Sequence, residues 1–149
     1  MKRNKREGLE NRLAYVRGKI LSSSVEVELS LGSFLCDYFF KKNSPRKTTL
    51  FWLVLNPLDF NKKIQLFKKI PYLKKRKNHD KVVKSLKYIQ TVRNRVAHDF
   101  LIVHKSEWDR LVIRDPRKPN DLILDENLLS KFDDNVKYLT QALFYRKRF

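Results

Sequence analysis

The sequence predicts a mostly α protein: a helical up-and-down bundle with a small β-hairpin between the last two helices. Three observations carry that reading. Only 3 Gly and 5 Pro punctuate 149 residues, so long stretches run without a breaker. Apolar residues recur at steps of three, four or seven over most of the chain, the period of a helix with one buried face. Hydrophobic residues make up 42% and aromatics 12%, enough to close a core despite 34% charged residues. The length suits one domain, taken as residues 1–149.

The first helix is expected from about Gly8 to Phe40, with Leu9, Leu13, Val16, Ile20, Val27, Leu31, Phe34 and Tyr38 on its apolar stripe. Ser22-Ser23-Ser24 is a candidate kink, and the alternation of Val25, Val27, Leu29 and Leu31 makes a short strand the rival reading. Helix is preferred because the 3.6-residue period continues on both sides. Lys41–Lys47, with Pro45, reads as a loop, and Thr48–Asn56 as a short buried element of open type. Pro57–Leu73 reads as a helix with Phe60, Ile64 and Phe67 inward and its lysines outward. Lys74–Asp80 reads as a basic loop whose Asn78 or Asp80 caps the next helix, about Asp80–His98. That helix buries Val82, Leu86, Ile89, Val92 (or Arg93) and Val96. Phe100–Val103 and Leu111–Ile113 are β-prone and pair as the hairpin, and Asp115–Asn120 is a loop. Asp125 caps the last helix, which turns Leu129, Phe132, Val136, Leu139 and Leu143 to one side. Arg146, Lys147 and Arg148 suit its C-terminal dipole.

Charge narrows the class of partner. Lys plus Arg is 34 against 16 Asp plus Glu, a net of +18. Thirteen of those bases and a single acid, Asp80, fall between Asn61 and Arg95. Leu101–Tyr145 holds eight acids and seven bases. A basic segment interleaved with Phe60, Phe67, Tyr72 and Tyr88 suits phosphate contacts plus base stacking, so RNA or another polyanion is the expected partner. Lys74, Lys75, Arg76, Lys77, Lys84, Lys87 and Arg95 are the candidate RNA contacts. The competing reading is a solvated face that keeps the protein soluble. The longest apolar run, Leu50–Leu55, is far too short for a membrane span, and no apolar segment follows the basic N-terminus as in a secretory signal. A cytoplasmic protein without a membrane partner is expected. The single cysteine, Cys36, excludes an intrachain disulfide and a cysteine-based zinc site and is read as a core residue. No carboxylates and histidines have ligand-like spacing, so neither a metal nor a cofactor is expected.

The chemistry-bearing segment is Thr91–Phe100, TVRNRVAHDF. Asn94 and His98 are four apart and share a helix face. Arg93 and His98 are five apart, about 140° around an ideal helix, a gap that a long arginine side chain can cross. His98 suits a general acid or base, because imidazole is the side chain suited to exchanging a proton near neutral pH. Arg93 suits a phosphate fork, Asn94 an orienting role, and Asp99 tuning of His98. Arg93 and His98 also admit a purely structural reading. His79 and His104 read as a loop and a strand-end histidine, Trp52 and Trp108 as packing or interface residues, and Glu26 and Glu28 as solvated helix residues.

The pattern Arg93-Asn94-x-x-Ala97-His98 resembles the signature of the HEPN superfamily, near the end of a late helix in a helical up-and-down bundle. The match is sharp over about Leu86–Phe100, and the helical outline is compatible from Gly8 to Arg146. The resemblance implies a metal-independent endoribonuclease, a toxin or antiviral-defence effector, cleaving RNA by attack of its own 2′-OH with Arg93, Asn94 and His98 as catalytic residues. It implies a homodimer with a composite active site, which supplies a second histidine. It also implies a neutralising partner, an acidic antitoxin or a nucleotidyltransferase. Some HEPN toxins carry a tyrosine two residues after the histidine, which such a transferase modifies; this chain has Phe100 there, so that control would need a substitute. Some members keep an acid on the first helix, where Glu26 and Glu28 are the matching residues. The alternative is a catalytically inactive basic helical module that binds RNA or DNA, or serves as an adaptor. A DNA-binding regulator is less well supported, because no helix-turn-helix spacing is evident.

Overall fold

In the computed structural model the described residues are 2–40, 44–98, 100–102, 112–114 and 120–144. They form six α-helices and one small sheet. The helices are α1 (Lys2–Phe39), α2 (Pro45–Leu50), α3 (Phe60–Lys69), α4 (Pro71–Lys74), α5 (His79–His98) and α6 (Glu126–Phe144), and a π-helical turn spans Phe51–Leu55. The mostly helical bundle with a hairpin between its last two helices is therefore the fold.

α1 is continuous through the three serines. Ser24 is buried and donates to the Ile20 carbonyl at 2.7 Å, and Ser30 donates to Glu26 in the same way. These hydroxyls bond back to the preceding turn instead of breaking it. The buried face includes Val16, Ile20, Ser24, Val27, Leu31, Phe34 and Leu35. Val25 and Leu29 face out, so the alternation that suggested a strand is incidental to a helical stripe. Tyr38, expected on the inner face, is exposed. Leu35 and Cys36 carry the buried face through the last turns, while the Tyr38 ring rests against Phe39 and Tyr72.

The packing partners run antiparallel. Arg17 of α1 touches Val96 near the end of α5. At the other end Phe34 packs on Phe67, which stacks on His79 at the start of α5. Lys81 lies over Tyr138 and Lys131 over Tyr88, which sets α6 antiparallel to α5. Val82, Leu86, Ile89, Val92 and Val96 are all buried, as are Phe132, Leu139 and Leu143 of α6. The Asp125 carboxylate accepts from the Leu128 N–H at 2.8 Å, which makes it the expected N-cap.

The middle of the chain departs from the sequence reading in four ways. Pro45 opens α2 rather than sitting in a loop, because a proline at the first helical position loses no hydrogen bond. Thr48–Asn56 is not a buried element. Only Leu55 of the π turn is buried, and Trp52 and Leu53 are 59% and 73% exposed. Phe51, packed with Leu50 against the core, anchors the turn's start. Its ring would lie 3.2 Å from a Cβ at position 32, so Gly32 is what admits it. Pro57–Leu73 is two helices, not one. Pro71 holds Ile70 at φ −71°, ψ 113°, the extended conformation that a following proline enforces. Asp59 caps α3, and chiefly the Lys62 N–H holds its carboxyl below the usual range. Finally, the α3 lysines do not all point out. The Lys63 side chain is 3% exposed and donates to Glu28 of α1 at 2.7 Å, so Glu28 is not a solvated residue either.

The sheet has the order β1-β2-β3, antiparallel throughout: β1 (Phe100–Ile102), β2 (Val112–Arg114) and β3 (Leu122–Ile123). Leu101 pairs with Ile113, and Ile113 with Leu122. The third strand was not foreseen, because two residues are too few for an alternating pattern. Asp99, Val103, His104, Trp108 and Leu111 lie outside the described residues, as do Lys41–Asn43, Asp115–Pro119 and Arg146–Arg148.

The buried ion pair yields a test. Glu28→Ala leaves the Lys63 ammonium buried without its acceptor and is expected to cost about 3 kcal/mol. Glu28→Ala with Lys63→Met removes both charges and should recover most of that loss in urea denaturation. Equal loss in the single and double variants would show that the pair is not what matters there.

Candidate active site

Four helical turns of α5 build the site. The inward positions of α5, ending in Val92 and Val96, fix which side of the helix meets the core. The opposite side must then face solvent. Lys84, Lys87, Thr91, Asn94 and His98 are all exposed. Their spacings of three and four residues place them within about an 80° arc. The sequence-predicted pair Asn94 and His98 thus shares one open face.

Arg93 starts on the flank of α5 and is half-buried. Its Nη1 donates to the Asn94 Oδ1 at 3.0 Å, so the guanidinium turns toward the face that holds Asn94 and His98. That bond crosses much of the 140° that separates the Arg93 and His98 directions on an ideal helix. A cation, an amide and an imidazole are gathered on the last two turns. Both Asn94 and His98 are exposed.

The end of α5 is fixed by two arginines that serve the backbone. Arg17 donates to the Val96 carbonyl at 2.7 Å. This satisfies one of the last four carbonyls of the helix, and a cation there complements the negative end of the dipole. Nothing in the sequence distinguished Arg17 from the other bases. Its one signal is that it adjoins Val16 on the edge of the α1 stripe. Arg95 donates to the Ile113 carbonyl at 3.2 Å and to the Asn120 carbonyl at 2.8 Å. It pins β2 and the approach to β3 against α5, so this candidate RNA contact also carries a structural load.

The other candidate contacts divide into groups. Lys84 and Lys87 lie on the same face as Asn94 and His98. Lys74, Lys75 and Lys77 are exposed around the end of α4 and the following turn, about 30 Å from His98 along α5. Arg76 is half-buried near Tyr72 and Tyr138. On the α6 side Lys131 lies 5.1 Å from the Tyr88 ring centre and Lys81 lies 4.4 Å from that of Tyr138. Burial, and secondarily Asp125, pushes the Tyr88 phenol up, so it stays neutral at physiological pH. His79 is not a loop residue. It opens α5, stacks on Phe67 with centroids 5.6 Å apart, and pairs Nδ1 with Asp80 at 3.2 Å. Cys36 is buried with its thiol pushed up by desolvation, and its Sγ donates to the Lys47 carbonyl at 3.8 Å, a poor nucleophile. Phe100 pairs through its backbone with Arg114.

The chain matches no protein-family model, no curated protein and no solved structure. Among the described residues no helix is long and apolar enough to cross a membrane.

Arg17→Met tests the clamp on the site. Losing one charge-assisted bond at a partly buried carbonyl should cost about 1–2 kcal/mol. Hydrogen exchange should speed up selectively in the last turn of α5, with the amides of α6 little changed.

Proposed function

We propose that the protein is a metal-independent endoribonuclease of HEPN type, a toxin or antiviral-defence effector that cleaves RNA through its own 2′-OH. The observation that supports this most is the Arg93–Asn94 contact, which turns the arginine toward the exposed α5 face that Asn94 shares with His98. RNA supplies the nucleophile, so the enzyme needs a proton shuttle and a positive group for the phosphorane charge. His98 exchanges the proton. When it acts as base it takes the 2′-OH proton as the O2′–P bond forms; when it acts as acid it protonates the departing 5′ oxygen as the P–O5′ bond breaks. Arg93 forks onto the non-bridging oxygens and favours the doubly charged transition state over the singly charged ground state. Asn94 orients the Arg93 guanidinium through the bond it accepts and offers its own N–H to the phosphate.

One imidazole does not serve both ends of the reaction at once. The proposal therefore includes a homodimer in which both copies of Arg93 and His98 line one cleft. Such a nuclease needs restraint in its host, and an acidic antitoxin suits a chain of net charge +18. A nucleotidyltransferase that modifies tyrosine would have to act elsewhere than position 100, which is Phe100.

Purified wild type and His98→Ala, incubated with labelled total RNA and tRNA in EDTA, test the reading. Wild type is expected to leave 2′,3′-cyclic phosphate and 5′-OH ends, with a rate loss of about 100-fold or more in His98→Ala and Arg93→Ala. A strict requirement for divalent metal, or equal cleavage by wild type and His98→Ala, would reject it. RNA binding with no cleavage by wild type would favour the inactive binding module instead.

A further inference from the structure

The open face of α5 carries more than Asn94 and His98. Going back along it from His98, the exposed residues are Asn94, Thr91, Lys87 and Lys84, each one helical step from the next. No acid lies on this line until Asp80, a further turn away. Neither lysine is held by a carboxylate in the ion pairs of the described residues. Lys63, Lys47, Lys19 and Lys62, by contrast, each face one. The face is therefore a straight rail with two unneutralised ammonium groups, a hydroxyl, an amide and an imidazole. Lys87 lies about 16 Å and Lys84 about 21 Å from His98 along the helix axis.

We propose that this rail holds a single RNA strand lengthwise. Lys87 and Lys84 take the phosphates about three nucleotides to one side of the bond placed at His98, and Thr91 and Asn94 contact the sugar-phosphate between. The inference rests on the ribonuclease reading only for its end point at His98. Its length follows from spacing: a strand stacked at about 3.4 Å per nucleotide would put roughly five or six nucleotides along 16–21 Å, whereas a strand pulled out to roughly twice that rise, the form an unstacked backbone takes, spans it with about three. Its width, one helix face, fits one backbone. Double-stranded RNA is bound by shape across two successive minor grooves and the phosphates between them, a surface wider than one helix face. The chemistry asks for the same geometry. In-line attack of a 2′-OH needs a sugar turned out of the A-form, which a free strand permits and a duplex opposes.

The experiment measures binding separately from cleavage. Fluorescent oligouridylates of two to eight nucleotides, and a duplex of the same length, are titrated with the full chain carrying His98→Ala. The titration is repeated with Lys84→Gln and Lys87→Gln added. Affinity should rise with each nucleotide and level off once about three extend past the site. The paired glutamines should abolish that rise, cost at least tenfold for the eight-mer, and lower the log–log salt slope by about 1.4, two phosphates at about 0.7 each. Lys62→Gln, a lysine of α3 paired with Asp59, should change none of these. Circular dichroism confirms the fold of each variant, and Lys84→Arg with Lys87→Arg should restore binding.

Equal affinity with and without the two lysines overturns the rail, even if the wild type cleaves RNA. Tighter binding of the duplex than of the single strand, or no binding of RNA at all, also overturns it. Loss of binding on the lysine substitutions in a protein that never cleaves leaves the rail standing and removes the ribonuclease reading alone.

Discussion

Everything in this fold leans on one buried stripe along α1. Val16, Ile20, Ser24, Val27, Leu31 and Leu35 form the wall against which α3, α5 and α6 close. The driving force is removal of apolar surface from water, about 25 cal/mol per Å², and it does not discriminate among partners. Specific polar ties add the discrimination. Arg17 holds the Val96 carbonyl of α5, Lys19 holds Asp133 of α6, Glu28 holds Lys63 of α3, and Asp37 holds Lys47 of α2. One side chain of α1 thus addresses each neighbouring helix. The buried Lys63 pair matters most for register, because displacing α3 would strand a charge in the core.

That wall also decides where chemistry is available. With Val92 and Val96 committed to the core, α5 has no choice about which residues it offers to solvent. Asn94 and His98 come out together because they are four residues apart, and Lys84 and Lys87 come out with them for the same reason. The arginines of this region divide the labour. Arg17 and Arg95 bind backbone carbonyls and hold the end of α5 and the sheet in place. Arg93 turns outward to Asn94. A helix end held from two sides is a firmer base for the side chains it carries than a loop would be.

Much of this was legible in the chain. The stripe of α5 was read correctly because five apolar residues at helical spacing leave one solution, and the Asp125 cap because an acid preceded a clear periodic segment. The expected buried element Thr48–Asn56 fails because hydrophobicity signals burial only when some other element is available to cover it. Here the π turn offers Trp52, Leu53 and Val54 to solvent. Lys63 was misread for the converse reason: a lysine's inward turn depends on an acid 35 residues away in sequence.

By itself, the sequence determined the local order: which segments are helices, where proline and capping acids bound them, how the positive charge clusters, and that Arg93, Asn94 and His98 fall on one short helical segment. These follow from periodicity and from side-chain chemistry within a turn or two. Only the tertiary structure decided which of the thirteen bases between Asn61 and Arg95 are spent inside the fold and which stay free on its surface. Lys63 and Arg95 are bound by partners distant in sequence, while Lys84 and Lys87 share the open face of His98. The reason is physical: a charge has no fixed role until the packing of distant helices sets what lies within hydrogen-bond reach of it.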